Sequence, residues 1–86
     1  MATFGFSYRQ REDGSCVGLL GSDCFCYIDG RFGEDRAVEA ARRDFLSWQH
    51  LSHADGFIIV RARDFKIALD KRDEILQSGK GARYKL

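Results

Sequence analysis

Phe4, Phe6 and Tyr8 alternate with Gly5, Ser7 and Arg9, the period-two pattern of a strand with one face on a core and the other toward water. Arg11-Glu12-Asp13-Gly14-Ser15 follows, and an Asp-Gly pair between two such segments predicts a tight hairpin whose central residues both take positive φ. Cys16 to Leu20 reads as the returning strand, Gly21-Ser22-Asp23 as a second turn, and Cys24-Phe25-Cys26-Tyr27-Ile28 as a third strand that stops at Asp29-Gly30. From Glu34 the period becomes helical. Val38, Ala41, Phe45 and Trp48 recur at spacings of three and four, while Arg36, Glu39, Arg42 and Arg43 occupy the other faces,. Glu34 and Asp35 at the start complement the helix dipole, and Ser52-His53-Ala54-Asp55-Gly56 ends the segment. Phe57-Ile58-Ile59-Val60 is continuously apolar and rich in β-branched residues, as expected of a strand buried on both faces in the middle of a sheet.

Residues 64–78 admit two periods. Phe65, Ile67 and Leu69 alternate like a strand, but Asp64 fits an N-cap and Phe65, Ala68, Leu69, Ile75 and Leu76 fit one helical face that Gly79 would stop,. The helix is the better fit. The last eight residues, 79–86, carry two glycines and three cations with scattered apolar positions, and are expected as a basic, mobile tail. The pattern thus predicts one α+β domain over residues 1–78. Its element order is β-β-β-α-β-α, an antiparallel sheet of about four strands with one long helix across it and a short C-terminal helix. Phe45, Trp48 and Phe57 are assigned to its core.

Composition narrows the classes. A chain of 86 residues buries only about 60–65% of the surface its unfolded form exposes, which leaves little interior for a dedicated active-site cavity and favours work done on the outer surface. With 44% hydrophobic, 13% aromatic and 31% charged residues, a disordered chain is excluded. No apolar run approaches the ~18 residues of a membrane span and no secretory signal opens the chain, so the expected location is the cytoplasm. Three cysteines, Cys16, Cys24 and Cys26, are then expected as reduced thiols rather than a disulfide framework.

Candidate chemistry is sparse. Cys24 and Cys26 share a strand face, but with Cys16, His50 and His53 as the remaining ligands the spacing matches no zinc signature. None of Ser7, Ser15, Ser22, Ser47, Ser52 and Ser78 sits in a nucleophile turn,. Gly30-Arg31-Phe32-Gly33 precedes a helix N-terminus, where backbone N–H groups can hold an anion, yet it lacks the Lys-Ser/Thr of a phosphate loop and is followed by Glu34 and Asp35. Asp13, Asp23, Asp29 and Asp55 all fall at turns, where Asp bonds nearby backbone N–H groups. The expectation is no catalytic residues, no metal and no cofactor.

The charge distribution bears on partners. Residues 1–60 hold six Arg against nine Asp/Glu, net −3, and residues 61–86 hold eight Lys/Arg against four Asp/Glu, net +4. Ten of the fourteen cations are Arg, whose planar fork suits bidentate contact. Arg61, Arg63 and Lys66 beside the last strand, Arg42 and Arg43 on the outer helix face, and Arg83, Tyr84 and Lys85 in the tail are the candidate partner-binding residues. The tail's cation-aromatic-cation order also suits a nucleic-acid backbone and a stacked base. Asp64, Asp70, Asp73 and Glu74 interrupt that patch.

Phe6-Ser7-Tyr8 before Glu12-Asp13-Gly14, a second strand ending near Gly21, and Gly30 ahead of an Ala- and Arg-bearing helix that ends at Trp48 resemble the HicB family of antitoxins over about residues 4–60. The resemblance implies a small, degenerate relative of the ribonuclease H fold that binds and blocks a partner without turnover. The chain lacks the family's usual proline after the second strand and its Thr or Ser helix cap, and residues 61–86 are short for the DNA-binding segment such proteins append. A phage-type inhibitor of a host defence complex, such as an anti-CRISPR protein, belongs to the same functional class. The expected function is stoichiometric inhibition of a protein or ribonucleoprotein complex, with nucleic-acid binding through the basic C-terminal third as the alternative. A free sheet edge would also invite a second copy.

Overall fold

The computed structural model describes residues 1–86. A five-stranded antiparallel sheet is built from β1 (Ala2–Gln10), β2 (Cys16–Gly18), β3 (Phe25–Ile28), β4 (Gly56–Ala62) and β5 (Tyr84–Lys85). β1 lies at the centre. β4 pairs along its whole inner length on one side, from Ala2↔Ala62 to Tyr8↔Gly56, while β2 and β3 share the other side end to end. The helices are α1 (Glu34–Ser47), the single-turn α2 (Gln49–Ser52) and α3 (Phe65–Ser78).

β1 departs from the half-exposed strand that alternation predicts. Its large residues Phe4, Phe6 and Tyr8 join Ile58, Val60, Ala68 and Leu76 in a core under α3. Its small residues Thr3, Gly5 and Ser7 are buried as well, beneath α1, where Ala37, Ala41 and Phe45 pack with Cys26, Ile28 and Phe57. The sheet is therefore covered on both faces, and the molecule has three layers with one helix outside each face. Gly5 lets α1 come close to the strand: a Cβ there would sit 2.8 Å from Cys26 Sγ, 3.2 Å from Ala41 Cβ and 3.3 Å from Phe45. The Ser7 hydroxyl, fully enclosed, donates to the Cys24 carbonyl at 3.0 Å.

Local chemistry sets the boundaries. In the first hairpin Gly14 alone takes positive φ, at 90°. The Gly14 N–H bonds the Arg11 carbonyl at 3.0 Å, and Asp13 accepts from Ser15 N–H and Oγ at 2.9 and 2.6 Å. This is a three-residue loop with a left-handed glycine rather than the two-residue turn expected. α3 is the helix that capping predicts, with Asp64 Oδ1 accepting from Ile67 N–H at 2.9 Å and Gly79 closing it at φ 72°. At 14 residues it equals α1 in length and is not short.

Two further expectations need correction. Trp48 is half exposed, because α1 stops at Ser47 and the chain turns into α2, carrying the ring off the buried stripe that Phe45 ends. Residues 79–86 are not a loose tail. Tyr84 and Lys85 pair with Phe57 and Gly56, and Leu86 N–H bonds the Asp55 carbonyl at 3.1 Å.

These contacts rank three substitutions. Phe45→Ala should cost ~3–5 kcal/mol as a buried aromatic truncation, and Gly5→Ala ~1–3 kcal/mol through overpacking. Trp48→Ala should cost less than ~1 kcal/mol, as a change away from the core. Urea denaturation of the three variants checks the order.

Candidate functional site

The basic residues singled out by sequence do not assemble into one patch. Lys85 pairs with Gly56 at the start of β4, and Arg61 lies five residues on, about 16 Å away at ~3.3 Å per residue. Alternation also splits the tail between the two faces. Arg83 lies under α3, its guanidinium 3.1 Å from Cys16 Sγ, within 3.4 Å of the Ile75 and Leu76 carbonyls, and 6.0 Å from the centre of the Tyr8 ring. Tyr84 is on the α1 side, stacked on Phe57 at 5.3 Å, its hydroxyl donating to Glu34 Oε1 at 3.3 Å. Arg42 sits 5.4 Å above the Phe57 ring, half-buried. Arg43, Arg61, Arg63, Lys66 and Lys85 remain exposed, with Arg61, Arg63 and Lys66 grouped where β4 passes into α3 and Arg43 on α1. The Arg61 carbonyl, on the outer edge of the sheet, is closed off by Lys71 Nζ at 3.0 Å.

The opposite edge is different in kind. β2 ends at Gly18, and after a last bond from Leu19 N–H to the Ser7 carbonyl at 3.3 Å the chain turns away from β1 instead of extending the strand to residue 20, carrying the side chains of Leu19 and Leu20 with it. They roof a recess of about 260 Å³ lined by Phe6, Phe25, Phe65, Leu69, Gly21 and Arg72. The aromatic rings form one cluster: Phe25 and Phe65 are 4.7 Å apart, and each lies within 6.5 Å of Phe6. Tyr27 and Phe65 both meet Phe4 edge-on at 5.8 Å.

Arg72 forms part of the recess wall. Only 6% exposed, it donates from Nη1 to the Leu19 carbonyl at 3.1 Å and from Nε and Nη2 to Asp73 Oδ1 at 3.0 and 2.9 Å. Its guanidinium is 5.5 Å from the Phe6 ring centre. The absence of a side chain at Gly18 makes this placement feasible, since a Cβ there would come within 2.6 Å of the guanidinium. The charge is thus balanced by Asp73 and one carbonyl, and the recess behaves as a neutral, aromatic-walled site.

On the other face of this edge, Trp48 and Leu51 flank a second cleft with Ser22 and Asp23. Gly21 and Ser22 are neighbours in the chain, so recess and cleft lie at the same level of the edge, one on the α3 side and one on the α1 side. Between them β3 pairs with β1 alone. Five large apolar residues stand open along this belt: Leu20 at 81%, Tyr27 at 67%, Leu51 at 55%, Trp48 at 48% and Phe65 at 39%. At ~200 Å² per large side chain they expose about 600 Å², the upper end of what a monomer normally shows.

None of these residues was selected from the sequence. Leu19-Leu20 was assigned to a strand, Phe65 to a helical face, and Trp48 to the core. Arg72 had a legible signal, because it lies four residues from both Ala68 and Leu76 on the buried stripe of α3.

Two buried thiols, Cys24 and Cys26, are held in their neutral form. Burial pushes Cys26 up to about 12 and also raises Cys24, where Asp23 adds to the effect. No group of three or more His, Cys, Asp or Glu is placed to hold a metal ion, and no helix is long and apolar enough to cross a membrane. Comparison with known proteins finds no matching family model, no similar curated protein and no similar solved structure. What the fold defines is a small, compact α+β domain.

The pH dependence follows from Cys26. A thiol that ionises near 9 when unfolded and near 12 when folded makes the unfolded chain release its proton first, so stability is lost as pH rises through that interval. Urea midpoints should fall between pH 9 and 11, and Cys26→Ala should flatten part of that slope. At pH 8 a thiol reagent should modify half-buried Cys16 before buried Cys24 and Cys26.

Proposed function

We propose that this protein is a non-catalytic binding domain that holds a protein, or the protein part of a ribonucleoprotein complex, in a stoichiometric inhibitory complex. HicB-like antitoxins and phage-type anti-CRISPR inhibitors act in this way. The observation that carries the reading is the concentration of exposed apolar surface: of seven exposed large apolar residues, all but Met1 and Leu46 belong to the belt. Five large side chains and an aromatic-walled recess gather along the β2/β3 edge, whereas the β4 edge is partly covered, by β5 at Gly56 and Phe57 and by Lys71 at the Arg61 carbonyl. A rigid cluster of aromatic anchors around a preformed recess is the composition of an interface hot spot, where a few buried rings dominate affinity. Apart from the short helical turns, the order β-β-β-α-β from β1 to β4 is also the order on which the HicB resemblance over about residues 4–60 rests.

Nucleic-acid binding has less support. A phosphate-tracking surface needs its cations in one stripe. Here half-buried Arg83 and Arg42 lie against aromatic rings, and Arg61 is about 16 Å along β4 from Lys85.

Affinity capture from the native cell, with nuclease treatment as a control, tests the proposal. Leu20→Asp changes an exposed residue and should reduce partner recovery at least tenfold, while the Arg61→Glu, Arg63→Glu pair should reduce it far less. Equal recovery by Leu20→Asp and wild type would remove the belt from the reading. A captured species lost to nuclease and steeply weakened by salt would point to nucleic acid instead.

A further inference from the structure

We infer that in the absence of its partner the belt is covered by a second copy of this chain, with Trp48 of each copy seated in the aromatic recess of the other. This rests on the reading of the belt as a docking face, and it names the belt's resident occupant.

Size, chemistry and symmetry converge on it. An apolar cavity of ~150 Å³ accepts a benzene ring, so a recess of about 260 Å³ walled by Phe6, Phe25 and Phe65 has room for the larger indole. Arg72 in its wall is only 6% exposed, with its guanidinium already over the Phe6 ring, so the recess offers a guest mainly ring and aliphatic surface, which suits an apolar ring. Asp73 and the Leu19 carbonyl already balance that charge, which disfavours a carboxylate guest. The one tryptophan of the chain stands half exposed on the same edge. Recess and Trp48 lie at one level on opposite faces, so a two-fold axis running along the edge carries each Trp48 over the partner's recess. Such a contact is isologous and closes on itself. Burying about 600 Å² on each copy gives about 1,200 Å² in total, the lower bound for specific, stable interfaces.

The experiment uses the full chain. Sedimentation velocity up to ~0.5 mM should show a growing dimer fraction if the dissociation constant is in the micromolar range, and Trp48 emission should move to shorter wavelength over the same concentrations. Trp48→Ala and Leu20→Asp, both at exposed positions, should each weaken self-association roughly tenfold or more. Mixing the two variants provides the decisive arm. The mixed dimer keeps one intact insertion, Trp48 of the Leu20→Asp chain in the unaltered recess of the Trp48→Ala chain. That single tryptophan should therefore shift its emission as the tryptophan-free variant is added. A wild type that stays monomeric at ~0.5 mM, a variant that dimerises like wild type, or a mixture that restores no dimer each overturns the inference. The first of these leaves the partner-binding proposal untouched, because capture reads the belt independently of self-association.

Discussion

The packing of β1 between two unlike layers is the constraint on which the rest of the structure depends. One face of this strand is large, with Phe4, Phe6 and Tyr8, and the other is small, with Thr3, Gly5 and Ser7, and both are buried. Because the small face leaves space, α1 brings Phe45 down to contact distance of Gly5 and fills the layer with one large ring. The large face needs no such insertion, and α3 meets it with Ala68 and the branched residues around it. Ring size is therefore divided between strand and helix in opposite senses on the two faces, which keeps both layers dense in a chain with little material. The Ser7 hydroxyl survives enclosure because the Cys24 carbonyl is within reach; without that acceptor its burial would cost about 1–3 kcal/mol.

From this packing the exposed edge follows. Arg72, on the buried stripe of α3, must place a guanidinium inside the α3 layer, and that charge needs acceptors. It finds them in Asp73 and in the Leu19 carbonyl, which is available because the chain turns away from β1 at Leu19, whose N–H makes the last bond to Ser7. The glycine makes room for the guanidinium, the guanidinium holds the departing chain, and the departing chain carries Leu19 and Leu20 over Phe25 and Phe65. The recess is thus a consequence of burying an arginine. It is bordered by a strand whose outer edge nothing in the chain covers.

Much of the backbone was legible because its signals are local. Asp64 and Gly79 mark α3 at both ends, acidic residues open α1, and the apolar run from Phe57 identifies β4 as an interior strand. The order of elements and the α+β class follow from them. The failures share a cause: the meaning of a residue depended on what lay opposite it. Gly5 and Ser7 have the polarity of a solvent-facing strand side, yet being small is what let a helix cover them. Trp48 continues the helical stripe by count, but the chain turns one residue before it. Tyr84 has few apolar neighbours in sequence and gains its place by stacking on Phe57, 27 positions away. The belt was illegible for the same reason, since Leu20, Tyr27, Phe65 and Trp48 come from four separate segments.

The cations show how far sequence charge and surface charge diverge. The final 26 residues carry the basic excess, but Arg72 and Arg83 spend their guanidinium groups on carbonyls, a sulfur and aromatic faces of the fold, and Arg42 lays its own over the Phe57 ring from α1. A planar, weakly hydrated cation suits this use because it can stack on a ring while its edge donates hydrogen bonds. An ammonium in the same positions would keep its water and open the layer. Three of the ten arginines thereby act as packing material, and of the cations left outside only Arg61, Arg63 and Lys66 stand close together, where β4 passes into α3. Long-range attraction for a polyanion weakens accordingly, since separated charges in water are screened within about 10 Å at ordinary salt. The apolar belt undergoes no such screening. Recognition by this fold therefore depends more on the shape of its uncovered edge than on the sign of its C-terminal sequence.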